Sequence, residues 1–470
     1  MSNAPKNQEG QAIWSQDKEH FIHPYTDYAT FKEEGSHVIS EGSGNYLTDA
    51  DGNRYLDTIA GLWCTNIGHG RTEMADAIAE QVMKMEYCNP FGHSTNEPGS
   101  VLAAKLAELA PGDLNHVFYT CGGSTANDAA IRLVHFYNNQ RGKPNKKKII
   151  SRMDAYHGST YIAANLTGIH GTKYSFDRIA DEWVEHISPA NMYRRPVGAE
   201  DLSEDAFCDF LVAEFENRIL QLGPDNVAAF IAEPVMGAGG VLVAPKGYHR
   251  RMRDICTQYD MLYIADEVVT AFGRLGHWFA SEAVYDCVPD IIVSAKGISS
   301  GYIPLGAAII SSKVYDVISQ PQCEGGLLSM GFTYSGHPVA CAAALKNIEI
   351  IEREKLNENV QALTPYFYEL ANGLMDISVV GDVRGSHFMM AIEFVTDRRD
   401  KVSFPAEADI SNRIYQHCLA RGMIIRPLGN QIVLSPPLTL TQDDVERLFT
   451  VLRESILAAW NDINEAGLLE

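Results

Sequence analysis

Long hydrophobic runs are missing from this chain of 470 residues. Its longest strictly apolar stretches, such as Val339 to Leu345, fall far short of a membrane span. The first thirty residues scatter Trp14 and Phe21 among polar neighbours and hold no apolar segment of a secretion signal. Closely spaced cysteines are missing too. Nine are spread along the chain, and the nearest two, Cys323 and Cys341, lie 18 residues apart. That spacing excludes a CxxC zinc or redox motif and does not read as a disulfide framework. Positive charge is scarce, with 38 Lys and Arg against 60 Asp and Glu for a net charge of −22. Such a balance works against adhesion to nucleic-acid phosphates or anionic lipid. Neither the glycine-rich dinucleotide fingerprint nor the P-loop occurs. What remains is a cytoplasmic globular protein with no nucleic-acid partner, no membrane partner and no metal site.

What the chain does have is apolar mass, 46% of its residues, enough for large cores. At ~150 residues per domain its length suggests two or three domains. The middle alternates short apolar runs with longer amphipathic ones. Val117–Tyr119, Ile149–Ile150, Val227–Ala232, Leu262–Ala265, Ile291–Val293 and Ala307–Ile310 read as strands with little polar alternation, the character of buried parallel strands. Thr125–Tyr137 and Tyr248–Tyr259 between them read as helices. This alternation predicts an α/β domain with a mostly parallel central sheet. The ends differ. Asp51-Gly52 between Tyr46 and Asp57 signals a hairpin. From about Ala340 a long helix precedes strands near Phe388–Phe394 and Gln431–Ser435, then a helix over Gln442–Asn461. The expected layout is a large α/β domain over residues 76–338, with residues 1–75 and 339–470 combining into a smaller α+β domain. The basic trio Lys146–Lys148 reads as a solvated loop.

Three strand ends carry the chemistry. Leu262–Ala265 runs into Asp266, and Ile291–Ala295 runs into Lys296, 30 residues on, about the length of a βαβ crossover. In open α/β sheets ligands bind at the carboxyl ends of strands, so a carboxylate and an amine would face one crevice. Alone, such a pair is equally a structural ion pair. The third end, Val117–Thr120, leads through Cys121-Gly122-Gly123-Ser124-Thr125 into a helix. Ser124 or Thr125 could cap it, and its free N–H groups would favour an anion. A helix N-terminus for a phosphate, a carboxylate for a basic nitrogen and a lysine for an aldehyde together match pyridoxal 5′-phosphate.

These residues stand within a series of motifs: Gly61-Leu62-Trp63-Cys64, Tyr156-His157-Gly158-Ser159-Thr160, Ala232-Glu233-Pro234, Ala265-Asp266-Glu267-Val268, Ala295-Lys296-Gly297, Gly301-Tyr302-Ile303-Pro304-Leu305-Gly306, Gly331-Phe332-Thr333-Tyr334-Ser335-Gly336-His337-Pro338 and Ser435-Pro436-Pro437-Leu438. In content and order the series resembles the class III aminotransferases of fold type I, in their ω-amino acid or amine:pyruvate branch, from about Tyr25 to Trp460. The resemblance implies a transaminase that moves an amino group from an amine or ω-amino acid to pyruvate or a similar α-keto acid. An aminomutase, a decarboxylase or a non-catalytic binding protein on the same fold are the alternatives. It also implies roles. Lys296 would carry the cofactor and move the proton. Asp266 would pair with the pyridine nitrogen, and Val268 and Tyr156 would cover the two ring faces, His157 beside them. Gly122, Gly123 and Ser124 would hold the phosphate, and Thr333 would reach it from the partner of a homodimer with shared sites, or of a tetramer. Glu233 would lie near the ring edge, although as a residue it serves equally as an acceptor in the sheet rim. Trp63 and Phe91 would wall the substrate pocket, and Arg426 would bind a substrate carboxylate. Two departures stand out. The family often reads Asn-Ser-Gly-Ser-Glu-Ala-Asn where this chain has Cys121-Gly122-Gly123-Ser124-Thr125-Ala126-Asn127, so a hydroxyl is lost at Gly122. Val269, where the ornithine and γ-aminobutyrate branches usually carry glutamine, argues against those branches.

Overall fold

A computed structural model describes residues 3–173, 176–177, 181–321 and 326–469; Cys323 lies outside them. A seven-stranded sheet organises the middle of the chain. Three strands of the N-terminal part precede it: β1 (Ile39–Ser43), β2 (Tyr46–Asp49) and β3 (Arg54–Asp57). The sheet itself comprises β4 (Leu114–Thr120), β5 (Lys148–Arg152), β6 (Val184–Ile187), β7 (Val227–Ala232), β8 (Leu262–Asp266), β9 (Ile291–Ser294) and β10 (Gly306–Ser311). Its order is β4-β10-β9-β8-β7-β5-β6. Six strands share one direction, and β10 alone runs against both of its neighbours. Every residue of β7, β8, β9 and β10 is buried, which is why those runs show no alternation. Helices cover both faces.

Register brings the functional ends together. Ala265 pairs with Ala232 and Asp266 with Val293, so Glu233, Asp266 and Lys296 leave the sheet along one edge. Thr120, at the end of β4, pairs with Gly306 on that same edge. Helix α1 (Gly123–Gln140) starts there and packs across β9 and β10.

The expected hairpin forms, with Tyr46 paired to Leu56. Its β3 also accepts a strand from the far end of the chain, Met423–Ile424, running parallel. A second sheet orders Val380–Ser386, Met389–Asp397, Gln431–Leu434 and Arg426–Leu428, and places Arg426 on a short edge strand. Near residue 340 the expected single long helix is two, α2 (Pro338–Arg353) and α3 (Leu356–Gly373), divided at Lys355 in the left-handed region. The last helix, α4 (Gln442–Glu465), opens on a capping box of Thr441 and Asp444.

Two local expectations are corrected. The cap of α1 is Gly122, with no side-chain capping bond, and Ser124 and Thr125 lie within the first turn. The basic trio is not a solvated loop. Lys146 is buried and donates to the carbonyls of Pro224 and Tyr259, while Lys148 opens β5. Among the described residues no helix is long and apolar enough to cross a membrane, and no cluster of His, Cys, Asp and Glu could hold a metal ion.

Candidate active site

Asp266 ends the most deeply buried part of the sheet, and three donors fix it. Its Oδ2 accepts from His157 Nδ1 at 2.7 Å and from Asn127 Nδ2 at 2.8 Å; Oδ1 accepts from the Val268 N–H at 3.1 Å. An ionised carboxylate only accepts, so His157 carries its proton on Nδ1. Its Nε2 is buried with no partner. Asn127 donates a second time, to the His157 carbonyl at 2.7 Å, locking ring and carboxylate together. Glu267, one residue on, is wholly structural, gripped by Thr270, Ala280 and Ser281.

Lys296 sits one residue beyond Ala295 in the left-handed region (φ +46°), a conformation few non-glycine residues adopt. No hydrogen bond or ion pair holds its Nζ among the described residues. Burial pushes its ammonium below the ordinary lysine value, against the pull of Asp266, Cys64 and Glu233, and Arg426 adds to the lowering. Glu233 is buried beside them and accepts from the N–H groups of Tyr156 (3.0 Å) and Gly237 (2.8 Å). Burial raises its carboxyl above the usual range, opposed by His157.

At the start of α1 the N–H groups of Gly123, Ser124 and Thr125 have no acceptor among the described residues, because the ladder begins with Ala126 donating to Gly122. The Thr125 hydroxyl is spent on the Gly122 carbonyl (2.9 Å), and Ser124 Oγ accepts from the Ser159 N–H (3.1 Å). Close approach is built in. A Cβ on Gly123 would lie 3.0 Å from the Val268 methyls, and one on Gly158 (φ +137°) would lie 2.4 Å from Ser124 Oγ.

Tyr156 stands half-buried above this floor. Burial pushes its phenol up to about 12, and its hydroxyl meets Ser159 Oγ at 3.2 Å. Arg426 is half-buried with its guanidinium unpaired among the described residues. Burial lowers its pKa, while the phenols of Tyr156 and Tyr25 favour its charge. Trp63 is buried against Gly237, within an apolar cluster that includes Val235 and Met389.

Two predicted residues stay apart from this group within one chain. Phe91 is 54% exposed and lies in a groove beside Gly331 and Met330. Thr333 is exposed on the same face, its carbonyl accepting from the Tyr87 hydroxyl at 2.9 Å. Sequence reasoning missed Asn127, Tyr25 and Cys64. Asn127 and Cys64 stood inside quoted motifs without a role assigned to them, and Tyr25 carried no signal.

The class-III aminotransferase family model matches residues 29–456. The putrescine–pyruvate aminotransferase of Pseudomonas aeruginosa is 38% identical over 457 residues, 97% of either chain. Mitochondrial γ-aminobutyrate transaminase 1 of rice (Oryza sativa subsp. indica) is 39% identical over 429 residues, 91% of this chain and 82% of its own. Among solved structures, an (S)-enantioselective ω-transaminase from Thermomicrobium roseum superposes with a TM-score of 0.91 at 38% identity, covering 98% of this chain and 100% of its own. The ω-transaminase of Pseudomonas jessenii in complex with PMP gives 0.92 at 35% identity, covering 97% and 100%.

Proposed function

The chain belongs to the class-III aminotransferases and works with pyridoxal phosphate; from that premise we propose that it moves an amino group from an aliphatic amine or ω-amino acid to pyruvate or a similar α-keto acid. The observation that carries this reading is a fixed carboxylate and an unbonded lysine on one edge of the seven-stranded sheet, with an arginine from the second sheet, unpaired among the described residues, close enough to act on the lysine's charge. The residues suit the cofactor. Three free N–H groups at the start of α1 fit a phosphate. Asp266, kept an acceptor by its donors, fits a protonated ring nitrogen. Val268 and Tyr156 fit the two faces of a flat ring, and Lys296 fits an aldehyde. When bound, the cofactor supplies the electron sink for the pair left as the donor's C–H bond breaks.

The chain's own groups do the rest. Lys296 Nζ, with its pKa lowered by burial, is available as the free amine that takes the proton from the amine-bearing carbon. Asp266 would hold the ring nitrogen, and His157 and Asn127 keep its carboxyl oxygens in one place. Glu233 fixes the backbone of Tyr156 rather than contacting substrate. Arg426 receives the carboxylate of the keto acid. Trp63 bounds the substrate side of the pocket, and Phe91, set apart from it within one chain, would reach a pocket only across a dimer interface.

The working unit is a cytoplasmic homodimer with shared sites, or a tetramer built of two such dimers. Its support is the exposure of Thr333 and Phe91 together on one face, unconnected to the site within their own chain. A sedimentation profile showing the active holoenzyme as a monomer would refute this.

A panel of donors (putrescine, β-alanine, γ-aminobutyrate, a monoamine) against pyruvate, read as alanine formed, tests the function. Alanine from at least one terminal amine is expected. Release of CO₂ in place of keto acid or aldehyde would favour the decarboxylase reading.

A further inference from the structure

A segment far from the motifs reaches into this site. Tyr25 lies between Gln8–His20 and Tyr28–Glu34, two helices that precede the first strand. It is 72% exposed, yet its backbone is held at φ +51°, an unfavourable conformation for an aromatic residue. Its hydroxyl donates to Tyr156 OH at 3.2 Å and meets Ser159 Oγ at 3.3 Å; Tyr156 OH and Ser159 Oγ close the triangle at 3.2 Å. The two rings meet edge to face, with centroids 6.4 Å apart. Three hydroxyls that, among the described residues, bond only to one another are a reserve of donors. An arriving anion can draw any of these O–H groups out of the ring without stripping a backbone partner.

The cation near enough for the phenols of Tyr25 and Tyr156 to favour its charge is Arg426, which has no acceptor of its own among the described residues. A carboxylate received by Arg426 would therefore lie beside hydroxyls already gathered and oriented. We propose that Tyr25 is a specificity-determining residue for the keto acid: its phenolic O–H completes the carboxylate receptor that Arg426 begins. This rests on the reading of Arg426 given above. The N-terminal segment thereby becomes part of acceptor recognition, and the strained backbone at Tyr25 is the local cost of aiming the phenol inward.

The test compares two acceptors on the holoenzyme with one donor, pyruvate and propanal, which lacks the carboxylate. Tyr25→Phe keeps the ring and removes only the hydroxyl. The ratio of kcat/KM for pyruvate over propanal should fall about tenfold, carried by KM for pyruvate. Arg426→Ala should lower the same ratio further, and Tyr25→Phe added to it should change the ratio less than twofold, because the two groups serve one carboxylate. If Arg426→Ala lowers the ratio and Tyr25→Phe leaves it unchanged, the inference about Tyr25 falls and the Arg426 receptor stands. If Arg426→Ala leaves the ratio unchanged, the receptor reading itself falls, and Tyr25 with it. Equal losses for both acceptors in Tyr25→Phe would mean that the tyrosine only supports the fold of the segment, and would also overturn the proposal.

Discussion

The floor and the mouth of the active site are built on opposite principles. On the floor, Asp266 takes three hydrogen bonds and Glu233 takes two, and both carboxylates are almost wholly buried. At the mouth, Arg426 has no partner among the described residues, and three hydroxyls bond among themselves. A buried charge must be fully satisfied by its surroundings, because an unmet one costs several kcal/mol. A group that has to exchange partners during each turnover must instead be left incompletely satisfied by the protein. The floor serves one permanent guest. The mouth serves two substrates of different charge in turn. Preorganised charge and adaptable recognition thus occupy adjacent layers of one site.

Lys296 lies between the layers, and its loss should have the largest effect. Lys296→Ala removes both the attachment point and the proton carrier, and turnover should fall by at least about 10⁴-fold. The yellow absorption of the holoenzyme should vanish with it. Borohydride reduction followed by peptide mapping must label Lys296, and a label on another lysine would overturn the assignment. Because burial lowers the Lys296 pKa, the sign of the pH effect is fixed. The free amine appears at lower pH than in ordinary lysine, so capture of pyridoxal phosphate by the apoenzyme should speed up as pH rises, with a midpoint below 10.5.

Asp266→Asn comes next. It preserves shape but turns an acceptor into a group that partly donates, opposite His157 and Asn127. The half-reaction should slow on the order of 10²- to 10³-fold, with cofactor affinity falling far less. Single-turnover bleaching by an amine donor reads the rate, and a loss under tenfold would reduce the carboxylate to a structural part.

How far each layer was legible in the sequence follows the same division. Strand ends at Asp266 and Lys296 could be read because continuous apolar runs announce buried parallel strands, and register then aligns whatever follows them. Asn127 escaped because a helix-face pattern does not reveal which polar atom a buried side chain meets. Gly122 replaced the expected Ser124 or Thr125 cap because the turn from β4 runs in extended backbone (φ 168°, ψ 179°), which sequence does not encode by residue type. Lys146 looked solvated because local charge hid two carbonyls contributed from residues 224 and 259. Tyr25 could not be found at all. Its partners lie more than 130 residues away, and nothing periodic surrounds it. Long-range polar contacts at the mouth are thus the least readable part of the molecule.

At the mouth, Arg426→Ala should raise KM for pyruvate by about 10- to 150-fold, the value of a lost charge-assisted contact of ~1.5–3 kcal/mol. KM for a monoamine donor should move much less. Equal shifts for both substrates would mean that Arg426 supports the site without receiving a carboxylate, and the contrast between the layers would lose its best example.

Asn127→Ala should give the smallest effect and the sharpest test of the floor. The asparagine touches neither the lysine nor any substrate position; it acts only through Asp266 and His157. Removing it deletes one of three donors to the carboxylate and frees the His157 carbonyl. Two other donors remain, so Asp266 should stay near its place. The expected loss is about five- to tenfold in kcat, roughly one hydrogen bond to a charged group partly compensated, with KM for pyruvate unchanged. A purely structural asparagine would lower the melting temperature without that kcat-specific signature. If Asn127→Ala instead raised KM for pyruvate as much as it lowered kcat, floor and mouth would not be separable layers, and Asp266 would owe its position to the pocket as a whole.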